Sequence, residues 1–280
     1  MNRVISKLVF RFSKVFLVLV AAILAAIFIV PMLYTFISSL KSTGDIFIIP
    51  IQWIPKRINW PNFTVPFAEK NFGTYFMNSI IVAVCVTVSS LFFSSLAGYS
   101  LAKFEYRGKK ALFVIVLITM MIPIEVTIVP LAIIVSNLGW MNSYQGLIIP
   151  LLVSPFAIFW MRQFIITLPK DYAEAGRIDG YGEFAIFGKL IMPLCQPALG
   201  ALAIFTYMGN WNSLIWPMIV ASKDRFKTLP VGLVGLQSME WTPFGEIFAM
   251  AVVALIPTLV FFLILRERLI KGMAMVGVKG

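Results

Sequence analysis

LPKDYAEAGRIDGYGEFAIFGKLIMP, residues 168–193, is the longest polar interruption in the carboxyl-terminal half of a very apolar chain. Its residues are ordered like a structured element rather than a slack linker. Pro169 suits the first turn of a helix, and Asp171 and Glu174 fall near the positive amino end of that helix. Asp179, Gly180 and Gly182 then stop it, because glycine takes the left-handed conformations that helix ends and tight turns require. From Glu183 to about Leu190 a helical pattern resumes. Phe184, Phe187 and Leu190 are spaced to share one face, and Pro193 is expected to force a boundary. The spacing predicts two short helices meeting at a glycine corner.

This stretch resembles the cytoplasmic EAA loop of permease subunits in binding-protein-dependent ABC importers. That pattern reads Glu-Ala-Ala, three residues, Gly, nine residues, Ile, one residue, Leu-Pro. Glu174 and Ala175 match it, Gly180 takes the place of its glycine, and Leu190, Met192 and Pro193 follow in register. Gly176 stands where the pattern has its second alanine. Glycine weakens a helix by roughly 1 kcal/mol relative to alanine, so a looser first helix is expected with its spacing unchanged.

The composition agrees with a membrane protein. Of 280 residues 60% are hydrophobic and 12% charged, with mean hydropathy +0.93, whereas soluble domains carry about a quarter charged residues. With no extended hydrophilic block, residues 1–280 read as a single all-α membrane domain. Histidine is absent and the two cysteines are Cys85 and Cys195, which excludes a zinc cluster, a Cys-His pair and a Ser-His-Asp triad by inventory. Both cysteines are expected to be buried small hydrophobes rather than a disulfide. The net charge of +11 is scattered between apolar runs instead of massed on one soluble face, so it points to membrane topology and not to nucleic acid.

Apolar runs at about 15–40, 75–102, 111–135, 144–166, 198–221 and 247–265 are each long enough to cross a hydrocarbon core needing around 20 helical residues. The first is longer than the core of a cleavable signal peptide. Cytoplasmic loops are enriched in Lys and Arg. Placing both ends inside puts Arg3, Lys7, Arg11 and Lys14 there, along with Lys103 to Lys110, the 168–193 loop and the basic carboxyl end. The outer side then holds 41–73, rich in Pro, Trp and Asn and suited to a cap or interfacial anchor, and 222–245 with Lys223, Asp224, Arg225 and Glu240. Asn62-Phe63-Thr64 matches a glycosylation sequon, a tripeptide common by chance.

Polar residues inside the spans are candidate pathway groups. Glu125 lies between Pro123 and Pro130 in the third run. It reads either as part of a substrate or ion pathway, or as a carboxylate beside backbone freed by the prolines. Asn210, Trp211 and Asn212 in the fifth run read either as sugar contacts or as interhelical hydrogen bonding. Ser94 and Gly98 form a small-residue pair that lets helices approach closely. Two enzyme signals fail. Gly182 to Lys189 has five residues between its glycines and Leu190 where a phosphate loop needs Ser or Thr. Asp171, Glu174, Asp179 and Glu183 lack metal-ligand spacing and read as a solvated or partner-facing surface.

The resemblance extends over nearly the whole chain, including Asn78-Ser79, Arg162-Gln163-Phe164, Trp211-Asn212 and the ending from Val276 to Gly280. It is similar to the maltose-type oligosaccharide permeases, and within them to permeases for arabinan-derived oligosaccharides. It implies a prokaryotic plasma-membrane subunit paired with a second homologous permease, in contact with membrane lipid. Two ATPase subunits would carry ATP and Mg, with no cofactor on this chain and no catalytic activity of its own. An extracytoplasmic sugar-binding protein would deliver substrate. In that scheme the helix around Glu174, Ala175, Gly176, Asp179 and Gly180 sits in a groove on the ATPase, with Phe184 and Phe187 as apolar anchors. The carboxyl tail from Gly272 lies near the ATPases. Glu125, Asn210, Trp211 and Asn212 are then candidate pathway residues. An ion-coupled secondary transporter is the alternative, motivated by Glu125 in a proline-broken span.

Overall fold

Long apolar runs leave the chain one way to satisfy its backbone in lipid, and every regular element found is a helix. A computed structural model describes residues 2–237 and 241–276, with side chains for 14–237, 241–264 and 266. The expectations for Glu240 and for 277–280 lie outside the described residues, as do those for the side chains of Arg3, Lys7 and Arg11. The helices of one turn or more that concern us are α1 (Asn2–Ser39), α2 (Pro61–Glu69), α3 (Phe72–Lys103), α4 (Lys109–Met121), α5 (Ile124–Asn137), α6 (Tyr144–Ile148), α7 (Pro155–Ile165), α8 (Asp171–Ile178), α9 (Glu183–Leu194), α10 (Gln196–Trp211), α11 (Ile215–Val220), α12 (Leu229–Gln237) and α13 (Phe244–Val276). No strand occurs among the described residues.

Among the described residues four segments, Lys14–Ser39, Phe72–Lys103, Tyr144–Ile165 and Phe244–Ile264, are long and apolar enough to cross a membrane. The number rises to six if two bent pairs each count as one span. In the first pair α4 and α5 meet at 101°, within the expected third span. Pro123 lacks an N–H and pushes Ile122 into extended backbone (ψ 117°), so the helix stops and restarts. In the second pair α9 and α10 meet at 82° around Cys195. The boundary expected at Pro193 therefore falls two residues later. Ile186–Ile191 is π-helical, and Pro193 occupies the opening of the short α-turn after it, where a missing N–H costs nothing. The fifth expected span ends its regular helix at Trp211 and resumes only at α11.

Among the described residues, those of 1–70 with 235–253 form one compact unit, and those of 71–234 with 254–280 form another. In the first unit, Tyr34 meets Trp53 and Phe248 edge-on at 6.2 and 6.3 Å. Asn62 is buried, and its amide donates to the carbonyls of Ser39 and Lys41 at 2.8 and 2.7 Å. A Cβ at Gly245 would lie 2.6 Å from that same amide. The sequon asparagine is thus a packing residue. Lys70 and Glu246 pair at 2.7 Å.

In the second unit α3 packs along α7 and α10. Gly98 is a point of close approach: a Cβ there would stand 2.9 Å from the Arg162 backbone nitrogen and 3.0 Å from Met161 Cβ. Ser94 is also fully buried, as the small-residue pair predicts. Arg162 lies over the Phe113 ring at 3.8 Å, joining α7 to α4. Cys195 is buried in this core, but Cys85 lies on an exposed face of α3, contrary to the expectation of burial. It shares an outward face of the helix with Val84, Val88 and Phe92, where an apolar residue faces outward without cost in lipid.

Candidate functional site

The polar loop folds as two helices meeting at a glycine, with backbone hydrogen bonds closing the end of the first helix. α8 begins after Pro169, with Asp171 and Glu174 in its first turn. It closes with the Tyr181 N–H donating to the Gly176 carbonyl at 2.9 Å and the Gly180 N–H to the Arg177 carbonyl at 3.1 Å. These two bonds make a Schellman cap, whose pivot residue must be left-handed. Gly180 has φ +78°.

Gly176 has a packing role that outweighs its weak helix propensity. It is buried, and a Cβ on it would lie 2.7 Å from Leu190 Cδ1 and 3.0 Å from Ile186 Cγ1. α8 therefore lies directly on α9. Across the corner Arg177 Nε donates to Glu183 Oε1 at 2.7 Å, and Tyr99 Oη donates to Glu183 Oε2 at 3.1 Å. The Glu183 hydrogen bond raises the Arg177 guanidinium further above its usual range. Lys103 Nζ donates to the Leu168 carbonyl at 2.5 Å, tying the loop's entry to the end of α3.

The expected shared face of Phe184, Phe187 and Leu190 does not form. The π-helical turn admits an extra residue and rotates the side chains beyond it. Phe187 turns inward, 7% exposed, with its ring 5.5 Å from Tyr99. Phe184 stands out at 78% exposed, beside a cavity of about 200 Å³ that Tyr99, Phe104 and Phe187 help to line. Ile178, at 86%, is a second outward apolar residue that the sequence reading did not single out. Glu174, Ala175 and Asp179 are also exposed. The loop thus offers apolar and acidic side chains on a rigid support. Tyr99 and Lys103 were missed as well. Tyr99 lies 84 residues from its carboxylate partner, and no spacing rule links them.

The second candidate region lies where the helices break. A cavity of about 740 Å³ is bounded by the α4–α5 bend, the entry to α7 and the end of α10. Of the expected pathway residues Asn210 lines it, with its amide donating to the Thr206 carbonyl at 2.8 Å. Glu125 is exposed in the first turn of α5; its neighbours Ile124 and Thr127 belong to the wall and it does not. Trp211 is buried at 3%, its indole N–H donates to the Ala254 carbonyl at 3.2 Å, and its ring stacks near Tyr207. Asn212 caps α10 and its amide turns back to the Met208 carbonyl at 2.9 Å. The structure brings Asn210 alone of these four to the cavity wall.

Residues 90–274 match the model of the family described as binding-protein-dependent transport system inner membrane component. The chain is 34% identical over 274 residues to the arabinooligosaccharides transport system permease protein AraQ of Bacillus subtilis, covering 97% of this chain and 98% of that one. It is 31% identical to the diacetylchitobiose uptake system permease protein NgcG of Streptomyces coelicolor, over 88% of this chain and 82% of the relative. The sn-glycerol-3-phosphate transport system permease protein UgpE of Yersinia pestis is 29% identical over 92% of this chain and 94% of its own. In fold it is similar to a chain of a bacterial ABC transporter involved in the import of the acidic polysaccharide alginate, with TM-score 0.80, 22% identity and coverage of 92% and 96%. This multi-pass membrane chain belongs to the family of binding-protein-dependent transport system inner membrane components.

Proposed function

We propose that this chain is a permease subunit of an ATP-driven carbohydrate importer, forming half of a translocation pathway with a second permease and taking its drive from two separate ATPase subunits. The observation that carries this reading is the braced corner at Gly180, with Glu174, Ile178 and Phe184 displayed outward from it. A rigid, exposed apolar and acidic knuckle is suited to lodge in a groove on a partner and to transmit its movement, because its internal bonds resist deformation. Tyr99 and Lys103 pass that movement to the end of α3, a span that reaches the cavity. ATP and Mg belong to the partner ATPases in this reading, and an extracytoplasmic binding protein delivers the sugar. The substrates named for the AraQ and NgcG relatives support a carbohydrate. The bias of Lys and Arg supports both termini and the corner on the cytoplasmic side of a prokaryotic plasma membrane.

Affinity purification from mild-detergent extracts tests the assembly. Recovery of a second multi-pass permease and an ATPase is expected; recovery of the chain alone, active in vesicles without ATP, would overturn the proposal in favour of ion coupling. Glu174→Ala and Gly180→Pro should each lower import severely while the complex still assembles. Unchanged uptake in both variants removes the coupling role.

A further inference from the structure

The wall of the 740 Å³ cavity contains no ionisable side chain among the described residues. Its polar groups are hydroxyls and one amide: Ser90 from α3, Thr119 from α4, Thr127 from α5, Ser154 before α7, and Thr206 and Asn210 from α10. Several already have part of their bonding used. Thr119 and Thr127 donate to the carbonyls of Ile115 and Ile124 at 2.8 and 3.0 Å, which leaves their oxygens as acceptors facing the wall. The Asn210 amide nitrogen is held by Thr206, which leaves its carbonyl oxygen free to accept. Ser154 accepts from the Ala157 N–H and retains a proton to donate. Ser90 is 1% exposed and its Oγ has no partner. Phe156 and Phe205, both exposed, add flat apolar faces to the same wall.

An anion would find little here. The amino ends of α5 and α7 reach the cavity and would ordinarily favour negative charge. Glu125 in the first turn of α5 offsets one. Pro155 removes an N–H at the other, and Ser154 caps the N–H of Ala157. A charge taken from water without a counter-charge is heavily penalised, whereas a hydroxyl can both donate and accept. We propose that this cavity selects a neutral, polyhydroxylated ligand over anionic ones, with Asn210 and Thr206 as specificity-determining contacts and the two phenylalanines receiving its apolar ring faces. The inference rests on the carbohydrate-import reading, and it separates this chain from relatives whose named substrates are a phosphate ester or an acidic polysaccharide.

The test uses the complete complex from native membrane, with its binding protein, reconstituted in ATP-loaded vesicles. Two probe pools are offered: neutral arabinan- and maltodextrin-derived di- to tetrasaccharides, and an anionic pool of sn-glycerol 3-phosphate and uronate oligosaccharides. Mass spectrometry identifies the sugars that enter. Import from the neutral pool alone is expected. Thr206→Val and Asn210→Ala should each lower it about tenfold, the loss of a hydrogen bond, while Thr206→Ser retains it. ATP-dependent import from the anionic pool at a comparable rate overturns the selectivity and leaves the importer reading standing. Neutral import unchanged in Thr206→Val and Asn210→Ala overturns the site. ATP-dependent import from neither pool counts against both this inference and the carbohydrate-import reading beneath it.

Discussion

Two helix interruptions in the same compact unit are built on opposite principles. At Gly180 the chain turns with its carbonyls capped, an ion pair across the turn and a tyrosine hydroxyl on the carboxylate. At Pro123 it turns 101° with an extended residue, no side-chain cap, and a cavity beside the break. The first interruption is closed and rigid, which suits a part that transmits motion. The second leaves room and hydrogen-bonding capacity, which suits a part that holds something transiently. Glycine and proline produce the two outcomes for separate reasons: glycine reverses the chain while keeping its donors, and proline deletes a donor and forbids helix before it.

The difference can be broken most severely below the closed corner, at its support. Gly98→Val is expected to have the largest effect, because the nearest atom is the Arg162 backbone nitrogen at 2.9 Å, which cannot step aside. A loss of about 3 kcal/mol, the upper end for overpacking, should appear as a large drop in the yield and thermal stability of solubilised complex. Gly176→Val ranks second. Its nearest neighbours are the ends of the Leu190 and Ile186 side chains, which can partly move, so about 1–2 kcal/mol is expected, at the lower end of overpacking costs. Import should fall more than assembly, since α8 would be lifted from α9. Arg177→Met is the mildest. Both side chains of the Arg177–Glu183 pair are about two-fifths exposed (43% and 40%), so solvent screening holds the loss to about 0.5 kcal/mol. A melting shift as large as that of Gly176→Val would mean that charge, rather than close packing, braces the corner.

The relation between sequence and site differs in the two regions. The corner was readable because its determinants are local: Pro169, Asp171 and Glu174 start a helix, and Gly180 ends it within a dozen residues. The inward turn of Phe187 was not readable, because a helical period assumes uniform register and the π-turn at Ile186–Ile191 changes it. Gly176 looked like a defect, because its value lies in contact with Ile186 and Leu190 rather than in its own helix. Around the cavity, Asn210 was singled out but Ser90, Ser154 and Thr206 were not. A lone Ser or Thr in an apolar run ordinarily bonds its own helix backbone, as Thr87 and Ser89 do here.

The sequence by itself determined that this is a helical membrane chain, where its apolar runs fall, and that a capped glycine corner interrupts them, because hydrophobic length and turn chemistry are properties of neighbouring residues. Only the tertiary structure decided which polar groups meet. Tyr99 reaches Glu183, Trp211 goes to a backbone carbonyl in α13, and hydroxyls from α3, α4, α5 and α10 converge on one cavity. Those choices depend on how bent helices pack against one another, and a close approach such as that at Gly98 has no signature along a single helix beyond the smallness of the residue that permits it.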